Sequence, residues 1–282
     1  PALRDIAVMR DVMPAVNARS KDNTLLQKRF IGSVTHTKGG RAAKNYRRVS
    51  VDAAIFDEMS AFDANVEKEG DPFSLGAKRV EGATFPKIIA GSTPKGTTLC
   101  LIDARFLLAE ERLRFNIPCP HCGEYHPLTW GGKDEPHGLK FDRANPAGVM
   151  HLCPHCTVLY TQADYLRVES RGLWINEHGT LHLHADGRFT TPDGRRVAAP
   201  RHIGFNVWTA YSPVVPWQKI VVDFLAARAA LETGDENTMQ TFVNTTLGEC
   251  WAGEIERTDA EELKQRAEPF ALRLLPLGCL LL

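Results

Sequence analysis

The chain carries no net charge, because 34 Lys and Arg are matched by 34 Asp and Glu over 282 residues. Such a balance gives no long-range pull on nucleic acid or on a membrane, so any nucleic-acid contact must come from a local patch. No apolar run reaches the roughly 20 residues of a membrane span, and the opening Pro1-Ala2-Leu3-Arg4 lacks the form of a signal peptide; no membrane partner is expected. Internal repeats and low-complexity tracts are missing as well. Also missing is a G-x-x-x-x-G-K-[ST] loop, the element with which P-loop enzymes cradle a nucleotide's phosphates. Seven cysteines are too sparse here for a secreted disulfide scaffold. Four of them fall in two tight pairs, which points instead to metal in a reducing compartment.

What is present reads as an α/β core interrupted by a small insert. Val49 to Phe56 is a nearly continuous apolar run ending in Asp57-Glu58, and Phe85 to Ala90 is a second, ending in Gly91-Ser92-Thr93-Pro94. Runs of this kind predict parallel strands buried on both faces. Helical spacing covers residues 4 to 17, Leu101 to Glu111 reads as a helix, and Leu113 to Ile117 as a third strand. Residues 172 to 200 suggest small hairpins through the alternation Thr180 to His184, and Ile220, Phe224, Ala227 and Leu231 line one face of a helix over Trp217 to Leu231. Residues 258 to 268 read as a helix in a linker and Leu274 to Leu282 as a buried strand. A start at Pro1 and a stop inside that apolar run suggest a chain cut at both ends.

Cys119-Pro120-His121-Cys122 and Cys153-Pro154-His155-Cys156 are one four-residue knuckle used twice. Zinc takes four tetrahedral ligands, and thiolates at i and i+3 on a tight turn supply half the shell each. Proline at the second position pre-sets φ for the turn. Four thiolates close the shell, so the expected ion is structural, with His121 and His155 outside it. The intervening residues predict a hairpin of Tyr125 to Trp130 against Leu139 to Phe141. Cys100, Cys250 and Cys279 stand alone in the sequence, where buried packing is the default.

Asp57 and Glu58 close a strand with two acids. In that place the first can hold a Mg²⁺ shell through water and the second can orient and deprotonate the water that attacks a γ-phosphate. The plainer reading is that Glu58 caps a following helix. Ser92 and Thr93 end the neighbouring strand, where ligands of open α/β sheets bind, although Ser and Thr there also suit an ordinary helix N-cap. Arg41, Lys44, Arg47 and Arg48 form the best local basic patch for DNA or phosphate, against the simpler alternative of a solvated loop face.

Four groups of segments together resemble the lambda-like family of phage DNA-packaging terminase large subunits. They are Gly39-Gly40-Arg41-Ala42-Ala43-Lys44-Asn45-Tyr46-Arg47 ahead of the acidic strand; Asp57-Glu58-Met59-Ser60-Ala61-Phe62-Asp63, similar to a Walker B segment; Glu81-Gly82 and Gly91-Ser92-Thr93-Pro94-Lys95, similar to a coupling motif; and Cys119-Pro120-His121-Cys122-Gly123-Glu124. Phe205 to Pro213 and Phe242 to Glu249 resemble later signatures. The resemblance implies a P-loop NTPase-like parallel sheet, incomplete here, with an inserted four-cysteine zinc ribbon and a C-terminal helical region. The implied division is residues 1–116 as the back half of the ATPase core, 117–162 as the ribbon, 163–257 as a hairpin and helical subdomain, and 258–282 as a linker toward a missing nuclease domain.

By the same resemblance the parent protein is an ATP- and Mg²⁺-dependent DNA translocase and endonuclease. It would pack double-stranded viral DNA into procapsids in the infected bacterial cytoplasm and cut concatemers. A terminase small subunit and the portal of the procapsid would be partners, and the assembled motor would be oligomeric. Asp57 would be the metal-binding acid, Glu58 the general base, and Ser92 and Thr93 would couple γ-phosphate loss to motion. Without a phosphate loop and a nuclease acid cluster, the 282-residue chain alone is expected to be inactive. Two other readings compete: a fragment of an ATP-dependent helicase with a zinc ribbon, and a non-catalytic zinc-ribbon module that binds nucleic acid or protein.

Overall fold

A computed structural model describes residues 7–13, 23–96, 100–132 and 135–252; the expected segments 258–268 and 274–282, and Cys279, lie outside them. The described chain opens with helix α1 (Ala7–Val12) and the hairpin β1 (Gln27–Phe30) and β2 (Ser33–His36). A short parallel unit follows: β3 (Ala53–Asp57), helix α2 (Pro72–Val80) and β4 (Lys87–Gly91). Asp71 caps α2 by accepting the Ser74 amide at 2.8 Å, and Pro72 occupies the first turn, where its missing N–H costs nothing. β3 and β4 run in register from Ala53 opposite Lys87 to Asp57 opposite Gly91. That register brings the acids and the Gly91-Ser92-Thr93 segment to the same end of the sheet.

These two strands are not buried on both faces, contrary to the expectation. Phe56 is 6% exposed and packs on Phe62 and Phe73, with Gly76 of α2 leaving room for its ring; a Cβ there would strike it. The other face has no second layer among the described residues: Ile55 is 71% exposed and Ile89 54%, and Phe85, expected in the second strand, lies before it and is exposed. The apolar run is also longer than the strand. Val51 leaves the ladder and donates instead to the Arg79 carbonyl at 3.0 Å.

Helix α3 (Leu101–Leu107) leads into the long strand β5 (Glu111–Pro118), the centre of the largest sheet. Its chain-order continuation is β6 (Tyr125–Pro127), β7 (Gly138–Lys140), β8 (Met150–Leu152), β9 (Leu159–Tyr160), helix α4 (Gln162–Val168) and β10 (Leu173–Asn176). β11 (His182–Leu183), β12 (Phe189–Thr190), β13 (Arg196–Val197) and β14 (Ile203–Asn206) follow. The large sheet has the order β13-β12-β11-β10-β5-β14, antiparallel except where β14 runs parallel to β5, and β6 folds back on the end of β5. β7, β8 and β9 form a separate small sheet. The chain is therefore a mixed α/β protein with parallel and antiparallel sheets and a cysteine cluster.

The hairpin expected between the cysteine pairs does not form as drawn. Tyr125–Pro127 pairs with β5, and Gly138–Lys140 pairs with β8. The reason is local: each knuckle is itself the turn of a hairpin, so it pairs the strands that flank it. β5 and β6 bracket the first knuckle, β8 and β9 the second. The helices α5 (Trp217–Glu232) and α6 (Glu236–Thr241), with a π-helical turn at Phe242–Leu247, complete the described chain. α5 buries Trp217, Ile220, Val221 and Ala227 against Ile117, Leu139, Tyr160 and Tyr165, in one core that also holds Cys119 and Cys153. Each fully buried aliphatic chain in that core contributes roughly 1.5–3 kcal/mol. Phe224 and Leu231 pack at its margin, so the helix face expected from the spacing is the one that is used.

Candidate functional site

The two knuckles have one geometry. In the first, the Cys119 amide donates to Glu124 O at 2.9 Å and Gly123 to Cys119 O at 3.0 Å; in the second, Cys153 donates to Val158 O and Thr157 to Cys153 O, both at 3.1 Å. The His121 and His155 amides each donate to the preceding cysteine sulfur, on Cys119 and Cys153, at 3.4 Å. Equivalent residues Gly123 and Thr157 both take positive φ, 81° and 56°, which glycine adopts freely and threonine only at a cost. The turn thus dictates the conformation even where the sequence resists it.

Together the knuckles bring four sulfurs within 4.8 Å of one another. Cys119 Sγ lies 3.8 Å from Cys156 Sγ, and Cys122 Sγ 4.0 Å from Cys153 Sγ. A disulfide needs about 2.05 Å, whereas thiolates about 2.3 Å from one tetrahedral ion sit about 3.8 Å apart. The spacing therefore fits four ligands around one metal ion. Burial pushes the Cys153 thiol up to about 12, so a central cation is what would turn that thiol into a thiolate. His121 and His155 are exposed, and His155 Nε2 faces Tyr125 O at 3.2 Å. The buried imidazoles are instead His126, bonded to the Tyr160 hydroxyl at 2.8 Å, and His151, which accepts the Thr129 amide at 3.2 Å. No motif singled these two out in the sequence; His151 packs against Trp217, and His126 packs on Tyr160, which meets the same tryptophan.

At the end of the parallel sheet Asp57 and Glu58 are both exposed. Glu58 sits at φ 52°, ψ 46° and its side chain makes no cap to the turn Met59–Ala61 that follows. The capping role, the plainer reading of this acid, is therefore not the one it plays. A left-handed backbone on a non-glycine residue costs on the order of 1 kcal/mol and commonly marks a functional position. The Glu58 carboxylate instead faces Ser92, whose Oγ lies 3.4 Å from Oε2. The Ser92 hydroxyl has one proton and a nearer acceptor, Thr93 O at 2.8 Å, while it receives the Ser60 amide at 3.1 Å. Glu58, Ser92 and the Thr93 carbonyl are thus in contact, with Asp57 opposite Gly91 at the same strand end, and Ser60 joins them, which the sequence reading missed because nothing but the fold places it there.

The basic loop lies on the same parallel unit but is largely engaged in holding itself. Asn45 Nδ2 donates to Gly39 O at 2.7 Å and the Tyr46 hydroxyl to Gly40 O at 2.8 Å. Arg47 pairs with Glu69, while Arg41, Lys44 and Arg48 point to solvent. Among the described residues no helix is long and apolar enough to cross a membrane.

By fold the chain is a mixed α/β protein that carries an acid pair at a strand end, Glu58 facing Ser92, and a four-thiol cluster. Its family follows from comparison. The model of the family described as "Phage terminase large subunit gpA, ATPase domain" matches residues 1–174, and that of "Terminase large subunit gpA, endonuclease domain" matches residues 202–282, from the threshold of β14 onward. The chain is 41% identical over 270 residues to "Terminase, large subunit" of Enterobacteria phage P21, covering 94% of this chain and 41% of that protein. To "Terminase, large subunit" of Escherichia phage lambda it is 40% identical over 279 residues, covering 96% and 42%. The chain belongs to the phage terminase large subunit gpA family. It spans about two fifths of the length of the curated relatives it matches. No solved structure matches it.

Proposed function

We propose that this chain is part of the motor that drives viral DNA into a procapsid with the energy of ATP, in a protein that also cuts concatemeric DNA. The β3–β4 unit supplies the hydrolytic side of a P-loop-type nucleotide site. The observation that carries this is the pairing of the uncapped, left-handed Glu58 with Ser92 across two parallel strands.

In this reading Glu58 accepts the proton of the attacking water, and its strained backbone holds the carboxylate off the following turn and facing the nucleotide. Asp57 would hold a Mg²⁺ ion through its water shell, and the ion would supply neutralisation of phosphate charge. Ser92 reports on the site. Its hydroxyl proton can pass from Thr93 O to Glu58, which would move the segment after β4 when the charge near Glu58 changes. Thr93 lies exposed beside it and would be the second hydroxyl at this strand end to meet the departing phosphate. Arg41, Lys44 and Arg48 offer a phosphate or DNA contact next to this unit. Zn²⁺ is the ion that a closed four-cysteine site of this spacing selects, and it acts structurally because no ligand position is left open for water. Double-stranded DNA, a terminase small subunit and the portal are the partners this role requires, with the assembled motor oligomeric and in the host cytoplasm.

Asp57→Asn in a protein of the relatives' full length tests the assignment. The reading expects ATP turnover to demand a several-fold higher Mg²⁺ concentration, since the charge that holds the metal shell is gone. An unchanged Mg²⁺ dependence with normal turnover would remove Asp57 from the site.

A further inference from the structure

Cys100 and Cys250 are far apart in sequence, and each looks isolated there. In the fold they meet. Lys95 stands between the two: its amide donates to Cys100 Sγ at 3.3 Å, while its carbonyl accepts the Trp251 amide at 3.2 Å. Gly96 and Trp251 form a parallel bridge in the same place, and the Trp251 amide also donates to Asn244 Oδ1 at 2.9 Å. The residue next to Trp251 is Cys250, and its thiol lies in side-chain contact with Cys100 and with Asp103. The Ser60 hydroxyl is 3.7 Å from Cys100 Sγ. Cys100 thus sits where three segments meet: the turn after the acidic strand, the segment after β4, and the end of the π-helical turn.

The contact is not a second metal centre, because the four-cysteine cluster is the only group of three or more ligands found close enough together among the described residues. It is a dithiol. We propose that Cys100 and Cys250 form an oxidisable pair whose disulfide staples the segment after β4 to the segment that follows the π-helical turn. One thiol belongs to the part of the chain matched by the ATPase model and the other to the part matched by the endonuclease model, so the bond would tie the two together.

The chemistry needs a two-electron oxidant, of which a hydroperoxide is the simplest class. One thiolate attacks the peroxide oxygen, the O–O bond breaks, and a sulfenic acid and water result. The second thiolate attacks the sulfenic sulfur and expels hydroxide, which takes up the remaining proton. In sum two thiols and one hydrogen peroxide give one disulfide and two waters. The two thiols are unequal in a way that suits exchange. Burial opposes ionisation of Cys100, but the Lys95 and Asp103 amides and the Ser60 hydroxyl outweigh it and hold that thiol below its usual value. Burial, together with Cys100 and Asp103, pushes Cys250 up to about 12. Cys100 is the thiolate-forming member and Cys250 the one that keeps its proton until a partner is oxidised.

The test uses the zinc-loaded 282-residue chain, in which bound metal protects the four ribbon cysteines. After treatment with hydrogen peroxide, non-reducing tryptic mapping should join peptide 96–105 to peptide 229–257, with two thiols lost per chain. Hydrogen exchange at the Trp251 amide should slow in the oxidised chain. Cys250→Ser should abolish the linked peptide while the variant keeps its zinc and its melting temperature. The proposal is overturned if the linked peptide is absent while either thiol is oxidised singly, or if Cys100 pairs with Cys279 instead.

Discussion

Replacing Cys153 by serine removes one ligand from the four-sulfur cluster at its most buried member, 0% exposed. Structural zinc sites are worth about 10–16 kcal/mol of apparent binding free energy. Shared evenly over four thiolates, that is about 3 kcal/mol each, or roughly two decades of metal affinity. The loss should not stay local. Cys119 and Cys153 belong to the same core as Trp217, Ile220 and Tyr160, so weakening the site loosens the seat of α5 as well. At roughly 2–3 °C per kcal/mol for a chain of this size, the melting temperature should fall by about 6–9 °C. Zinc per chain by elemental analysis, together with thermal unfolding followed by circular dichroism, measures both quantities. Wild type should hold one zinc, and a strong chelator should lower its melting temperature at least as far as the substitution does. A wild type prepared without chelator that contains no zinc, or a serine variant that melts as wild type does, refutes the argument.

Thr157→Gly should stabilise the second knuckle by roughly 0.5–1 kcal/mol, since it relieves the positive φ that Gly123 tolerates at the equivalent place in the first; a lower denaturant midpoint would contradict this. Asp71→Ala should cost about 1–2 kcal/mol, because it removes the cap of α2 and the partner of Arg105. Burial raises the Asp71 carboxyl, but hydrogen bonds from Ser74 and the charge of Arg105 outweigh it and hold it below its usual value of 3.8. A depressed acid stabilises the fold above the unfolded value and loses that contribution as pH falls through the folded one. The gap in stability between wild type and Asp71→Ala should therefore be full near neutrality and close below about pH 3.8, as denaturant titrations at several pH values would read.

The parts of this fold that were legible in the sequence are those set by local rules. A Cys-Pro-His-Cys turn carries its own geometry, so the four thiols were identifiable before any contact was known. The apolar spacing of Trp217 to Leu231 gave the buried face of α5 in the same way. The order of strand and acid pair marked Asp57 and Glu58, and parallel register then set Asp57 opposite Gly91 and brought Glu58 to Ser92. What was not legible depends on contacts distant in sequence. An apolar run announces that a strand can be buried, not that a layer is present to bury it, and Ile55 and Ile89 show the difference. The ribbon hairpin was misdrawn because periodicity cannot say which of several short strands pair. Ser60, His126, His151 and the meeting of Cys100 with Cys250 carry no motif at all; only the tertiary fold brings them together.

The central claim is that Glu58 is the general base of a nucleotide site rather than a structural acid. It is tested most directly by ATP turnover and ATP affinity of Glu58→Gln, measured side by side in a protein of the relatives' full length. The amide keeps the size of the side chain and its contact with Ser92 but cannot accept a proton. The account predicts turnover lower by on the order of a hundredfold or more, with ATP affinity and melting temperature close to wild type. Near-normal turnover in that variant would contradict it.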